Sequence, residues 1–135
     1  MKKFILLAAF AFAAFAAQAQ TSVKLPLALG DTIVNAGTVS KYVSVTGGYN
    51  GAIVQVVLTK ISGTGVGTVQ LSQTLDGVNY VNVGSAFTIT DVATQSQVFA
   101  LTSPTGSKIK VLCTGSGTEA VKVAVWYRLP LFQHP

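Results

Sequence analysis

The sequence predicts an all-β protein, a single antiparallel β-sandwich of about eight or nine short strands. Three observations lead there. Between Val23 and Arg128 the chain is cut into short runs rich in Val, Ile, Thr and Tyr. Such side chains fit a pleated surface, and β-branched ones lose rotamer freedom in a helix. The runs are separated by Gly, Asn, Asp, Ser and Thr at intervals of roughly 8–12 residues, the punctuation of a sandwich or barrel. Beyond the first score of residues, no window sustains an i, i+3, i+4, i+7 apolar stripe of helical length. Jelly-roll and immunoglobulin-like topologies both fit this pattern.

Residues 1–19 are read as a cleaved export signal. Lys2 and Lys3 form a positive n-region, Phe4 to Ala17 carries no charge, and Ala17-Gln18-Ala19 is a small-x-small cleavage site. The apolar run is too short for a bilayer core that needs about 20 residues. No Cys follows it to accept a lipid. The mature chain is therefore expected at the periplasm, cell surface or exterior, with no stable membrane insertion after cleavage. Residues 20–129 then form the sandwich, and 130–135 a tail that cannot continue a central strand past Pro130.

Within the domain, the expected strands are Val23–Leu29, Val39–Val45, Ala52–Lys60, Thr68–Leu75, Tyr80–Val83, Ala86–Ile89 and Gln97–Leu101, then runs from Lys108 to Cys113 and from Val121 to Arg128. Val54, Val56 and Leu58 share one face of the clearest strand. Ile109, Val111 and Cys113 alternate with Lys108, Lys110 and Leu112. Val121, Val123, Val125 and Tyr127 alternate with Lys122, Ala124, Trp126 and Arg128. Asp76-Gly77 predicts a hairpin, because Gly accepts the positive φ of a tight turn. Thr114 to Glu119 is expected to form a second one, joining the last two strands.

Composition narrows the function. Losing Lys2 and Lys3 lowers the formal charge from +5 to +3, and no dense basic stripe of a nucleic-acid binder is present. Cys113 is the only cysteine, so no intrachain disulfide can form, and its apolar alternation places it in the core. Asp31, Asp76, Asp91 and Glu119 stand singly beside expected turns. Turn formation explains them more economically than the paired carboxylates of a glycosidase. Oxygen-rich turns such as Asp76–Asn79 offer a calcium ion only a few ligands. His134, the one histidine, sits at the chain end, a poor place for a triad. The Gly63–Gly67 stretch lacks the Lys-Ser/Thr and helix of a phosphate loop. The protein is expected to be no enzyme and to carry no cofactor and no metal.

One constellation stands out as a candidate partner-binding surface. If Ile109 pairs opposite Val125 and Val111 opposite Val123, then Lys108 lies opposite Trp126 and Lys110 opposite Ala124. Lys122 and Arg128 share that outer face. A tryptophan among four cations, Lys108, Lys110, Lys122 and Arg128, suits stacking on sugars or holding an acidic partner. Tyr42, Tyr49 and Tyr80 are available to extend it. A covered Trp126 beside solubilising lysines is the other outcome of the same pattern.

The succession of turn signatures is also informative. Gly30-Asp31-Thr32-Ile33-Val34-Asn35-Ala36-Gly37-Thr38 is followed by Val57-Leu58-Thr59-Lys60-Ile61-Ser62-Gly63-Thr64. Then come Thr74-Leu75-Asp76-Gly77-Val78-Asn79-Tyr80, Phe87-Thr88-Ile89-Thr90-Asp91-Val92 and Gly115-Ser116-Gly117-Thr118. This order resembles small β-sandwich proteins of tailed bacteriophages. The resemblance implies a virion structural, head-decoration or fibre-like component located in the virion, with no catalytic residues. The alternative reading is an exported carbohydrate-binding or adhesive module of a bacterial surface, with Trp126 and neighbouring tyrosines as its platform. Expected partners are a protein or a surface glycan, with self-association into a homo-oligomer compatible with either; nucleic acid is not among them.

Overall fold

A computed structural model describes residues 22–25, 31–45, 49, 51–102 and 106–130. The expected export signal (1–19) and the tail beyond Pro130 lie outside the described residues. Nine strands are present: β1 (Val23–Lys24), β2 (Thr32–Val34), β3 (Thr38–Ser44), β4 (Gly51–Ser62), β5 (Gly67–Thr74), β6 (Val81–Ile89), β7 (Thr94–Thr102), β8 (Lys108–Gly115) and β9 (Ala120–Arg128). The first sheet runs β1-β9-β4-β7, with β2 also paired to β9; the second runs β3-β8-β5-β6. All pairings are antiparallel. Among the described residues, β5 and β6 are the one consecutive pair hydrogen-bonded to each other, and from β2 onward every other connection crosses between sheets. That arrangement is a jelly roll, two Greek keys folded into a double sheet.

Alternation builds the core. Val54, Val56 and Leu58 of β4 and Val121, Val123 and Val125 of β9 face Val69 and Leu71 of β5 and Ile109, Val111 and Cys113 of β8, all buried. Burying each such side chain contributes about 1.5–3 kcal/mol. Cys113 is a free thiol at 1% exposure, and burial pushes its pKa up to about 12. It acts as a small hydrophobe.

Three expectations need correction. First, β8 and β9 do not form a hairpin. Ile109 pairs with Val43 and Gln73, and Val111 with Lys41 and Leu71. Val125 and Val123 instead pair with Val56 and Leu58. The segment from Ser116 to Glu119 arches from one sheet to the other, with the Ser116 amide donating to the Val66 carbonyl at 3.0 Å. The alternation that puts two aliphatic rows on one face serves equally well when the strands lie across the core. Second, the Tyr80–Val83 and Ala86–Ile89 runs are one strand. Between the partners Val69↔Phe87 and Leu71↔Val83, β6 carries extra residues in a bulge, with Gly84 at φ +67°. The Gln70 side-chain amide donates to the Leu71 carbonyl at 2.6 Å and the Val83 carbonyl at 3.3 Å, holding the bulge. Third, β2 was not expected as a strand. It is three residues long, and periodicity has little to show over that length.

Candidate functional site

The outer face of the first sheet is read directly from its register. Lys24, Trp126, Gln55 and Val98 form one row across β1, β9, β4 and β7. Arg128, Ile53 and Ala100 form the next row, and Ala124, Val57 and Ser96 the row on the other side. Trp126 alternates against the buried Val123 and Val125, so its indole faces outward at 37% exposure. Ile53 and Val98 are also exposed apolar groups. Together with Ser22, Gln55, Tyr127 and Arg128 they line an open groove of about 220 Å³ with Trp126 in its wall. The Lys24 ammonium sits 5.1 Å from the centre of the indole, a cation–π contact. Gln55 donates to Ser96 Oγ at 3.1 Å, which orients its amide along the groove.

The five residues expected to act together are divided between the two faces of the sandwich. Trp126 and Arg128 line the groove. Lys122 shares their face but lies four positions from Trp126, roughly 13 Å along the strand. Lys108 and Lys110 are on β8, in the other sheet. There Lys110 pairs with Tyr42 and Ser72 across β3 and β5, and its ammonium lies 4.4 Å from the ring centre of Tyr80. Tyr42, 52% exposed, meets Tyr80 at 6.1 Å with planes tilted by 56°. Tyr49 packs against the core. Ile53, Gln55, Val98 and Lys24 were not anticipated in the site. Ile53 and Gln55 were legible as outward residues of β4, but nothing local to the sequence shows that β4 and β1 flank β9.

The acidic residues divide in the same way. Asp76 behaves as a turn former: its carboxylate accepts from Thr74 Oγ1 at 2.7 Å, the Val78 amide at 2.9 Å and the Asn79 amide at 2.8 Å. These donors hold its pKa well below the usual carboxylate range, that of Thr74 foremost. A cavity of about 350 Å³ adjoins this turn, lined by Gln73, Thr74, Leu75, Asp76, Asn79, Val81 and Gly106. With both Asp76 oxygens engaged by donors inside the turn, this cavity offers no free carboxylate. Asp91 accepts from Lys60 and from the Gly65 amide, both at 2.8 Å, and its pKa is lowered, chiefly by Lys60. Asp31 and Glu119 stand beside turns, as expected, and both are buried. Asp31 pairs with Lys41, which lies on the inward face of β3 with Val39 and Val43, so the pair ties the two sheets at one edge. Among the described residues no group of three or more His, Cys, Asp or Glu side chains converges. His134 lies outside them.

Comparison with known proteins gives fold-level likenesses only. No protein-family model and no curated protein matches the chain. A structure of a family 4 carbohydrate-binding module aligns at TM-score 0.44 and 15% identity, covering 71% of this chain and 63% of that one. A family 16 carbohydrate-binding module aligns at 0.41 and 14%, covering 76% and 74%. A family 28 carbohydrate-binding module specific for non-crystalline cellulose aligns at 0.45 and 9%, covering 84% and 74%. The chain thus spans less than two thirds of the family 4 structure. None of these likenesses is strong enough to carry a ligand over to this chain.

Proposed function

We propose that this protein is a non-catalytic binding module that holds a carbohydrate on the outer face of its first sheet. The observation behind this reading is the Trp126 groove. An outward indole on a central strand, over a floor of Ile53 and Val98 and beside the polar arms of Gln55 and Arg128, matches what a sugar ring needs. Its apolar C–H face stacks on an aromatic plane, while its hydroxyls require donors and acceptors at the rim. Lys24 and Arg128 flank the indole, and Lys122 lies further along the same face. The three rows around Trp126 carry no acidic side chain. Acidic polysaccharides are therefore the favoured class over neutral ones.

Jelly rolls serve capsids and lectins alike, so the virion-component reading rests on the order of turn signatures alone. Affinity electrophoresis through gels containing acidic or neutral polysaccharides tests the carbohydrate reading. Retardation of wild type, strongest in the acidic gels, is expected. Trp126→Ala should weaken it by about 30-fold, the scale of a 2 kcal/mol hot spot. Equal mobility of both proteins in every gel would remove the proposal.

A further inference from the structure

At the end of the sandwich remote from the Trp126 groove, three turns converge: Asn35–Gly37 between β2 and β3, Gly63–Val66 between β4 and β5, and the Ser116–Glu119 arch. They are tied by the Asn35 amide donating to the Glu119 carbonyl at 2.7 Å, Gly115 to Gly37 at 2.9 Å and Ser116 to Val66 at 3.0 Å. The Glu119 side chain folds beneath the arch and is 2% exposed. Neither of its carboxylate oxygens has a hydrogen-bond partner, and neither ion pair of the described residues includes it.

Gly115 lies so close that a Cβ there would collide with Glu119 Oε1 and the Asn35 carbonyl oxygen. A Cβ on Gly117 would meet Glu119 Oε2 at 2.6 Å and collide with the Thr64 carbonyl oxygen. Neither the Asn35 nor the Thr64 carbonyl receives a backbone hydrogen bond among the described residues. The carboxylate and the Asn35 and Thr64 carbonyl oxygens therefore crowd two glycines, and the carboxylate has no donor to serve it. Burying a carboxylate without a partner is strongly unfavourable. A cation at the carboxylate would also draw on the neighbouring carbonyls.

We infer that the arch is a calcium site, with Glu119 as its carboxylate ligand and the Asn35 and Thr64 carbonyls as neutral ligands. An all-oxygen set of carboxylate and carbonyls suits a hard cation. Calcium tolerates irregular geometry and completes its shell with water, whereas magnesium demands a near-ideal octahedron. A single carboxylate places the affinity in the weak range of extracellular modules, about 0.1–1 mM. The ion would clasp three turns from both sheets, so its role is structural and independent of what the Trp126 groove binds.

Thermal melting of the full chain in EDTA, then in about 10 mM calcium chloride at matched ionic strength, reads the site. The midpoint should rise by about 5–15 °C in calcium, and much less in magnesium. Glu119→Gln should melt at one temperature in EDTA and in calcium. Should that variant fail to fold, calorimetric titration of wild type with calcium chloride must show one ion per chain. A wild type indifferent to calcium in both measurements overturns the site. An equal shift in wild type and Glu119→Gln places the ion elsewhere and overturns it too, and an equal shift with magnesium overturns the choice of calcium.

Discussion

The two outer faces of this sandwich carry similar materials, aromatic rings beside lysines, and they arrange them differently. On the first sheet, Trp126 belongs to β9, an interior strand, so the flat flanks of its neighbours supply a floor through Ile53 and Val98. Its cation, Lys24, reaches in from the two-residue edge strand β1. On the second sheet the order is inverted. Tyr42 stands on the edge strand β3 and Tyr80 just before the edge strand β6, while the cation, Lys110, rises from the interior strand β8 and sits 4.4 Å from the Tyr80 ring centre. The two rings lean together at 56° instead of lying in one plane. An aromatic on an interior strand has neighbours on both sides; one at an edge must find its partner by folding over. Position in the sheet, more than composition, separates the two surfaces.

That contrast can be broken in several places, and the largest effect should come from beneath the tyrosine face. Leu71→Ala removes a buried side chain of β5 and should cost about 2–5 kcal/mol in urea unfolding. Folded molecules of the variant should bind polysaccharide as wild type does, because the Trp126 groove stands on the other sheet. A parallel loss of affinity would mean the two faces are coupled through the core.

Alkali should act next. The folded Cys113 thiol is raised from 9.0 to about 12 by burial, so between these values the unfolded chain has released its proton and the folded chain has not. The sign follows from linkage: stability falls as pH rises through this window. Cys113→Ser should flatten that fall. Iodoacetamide at pH 9 should label Cys113 only in unfolded protein, and rapid labelling of the native state would contradict its place in the core.

Two smaller effects sharpen the comparison of the faces. Lys24→Ala should weaken binding to an acidic polysaccharide by about 0.5–1 kcal/mol, the worth of an exposed cation–π or ionic contact. The loss should shrink as salt rises. Tyr42→Ala should leave affinity within about twofold of wild type, because Tyr42 lies on the opposite face; a loss matching that of Trp126→Ala would transfer the site to the tyrosines. Polysaccharide affinity electrophoresis reads both.

Much of the strand inventory was legible because side-chain period 2 is a local property. The β4 alternation of Val54, Val56 and Leu58 against Ile53 and Gln55 needs no knowledge of neighbours, and neither does the outward position of Trp126 relative to Val123 and Val125. The Asp76-Gly77 turn was legible for the same reason: its donors, Thr74, Val78 and Asn79, lie within three residues. Alternation is silent, however, on whether the next strand lies beside its predecessor or across the core. Reading β8 and β9 as a hairpin therefore gathered Lys108 and Lys110 around Trp126, when the arch at Ser116–Glu119 carries them to the other face.

The sequence by itself determined the all-β class, the side of each long strand that is buried, the core position of Cys113 and the turn at Asp76. All of these follow from side-chain shape and chemistry acting over a few residues. Tertiary structure alone decided the jelly-roll order, the row of Lys24, Trp126, Gln55 and Val98, and the burial of Asp31 and Glu119. Those depend on which strands meet across tens of residues, a choice set by closing two sheets over one shared core rather than by any local preference.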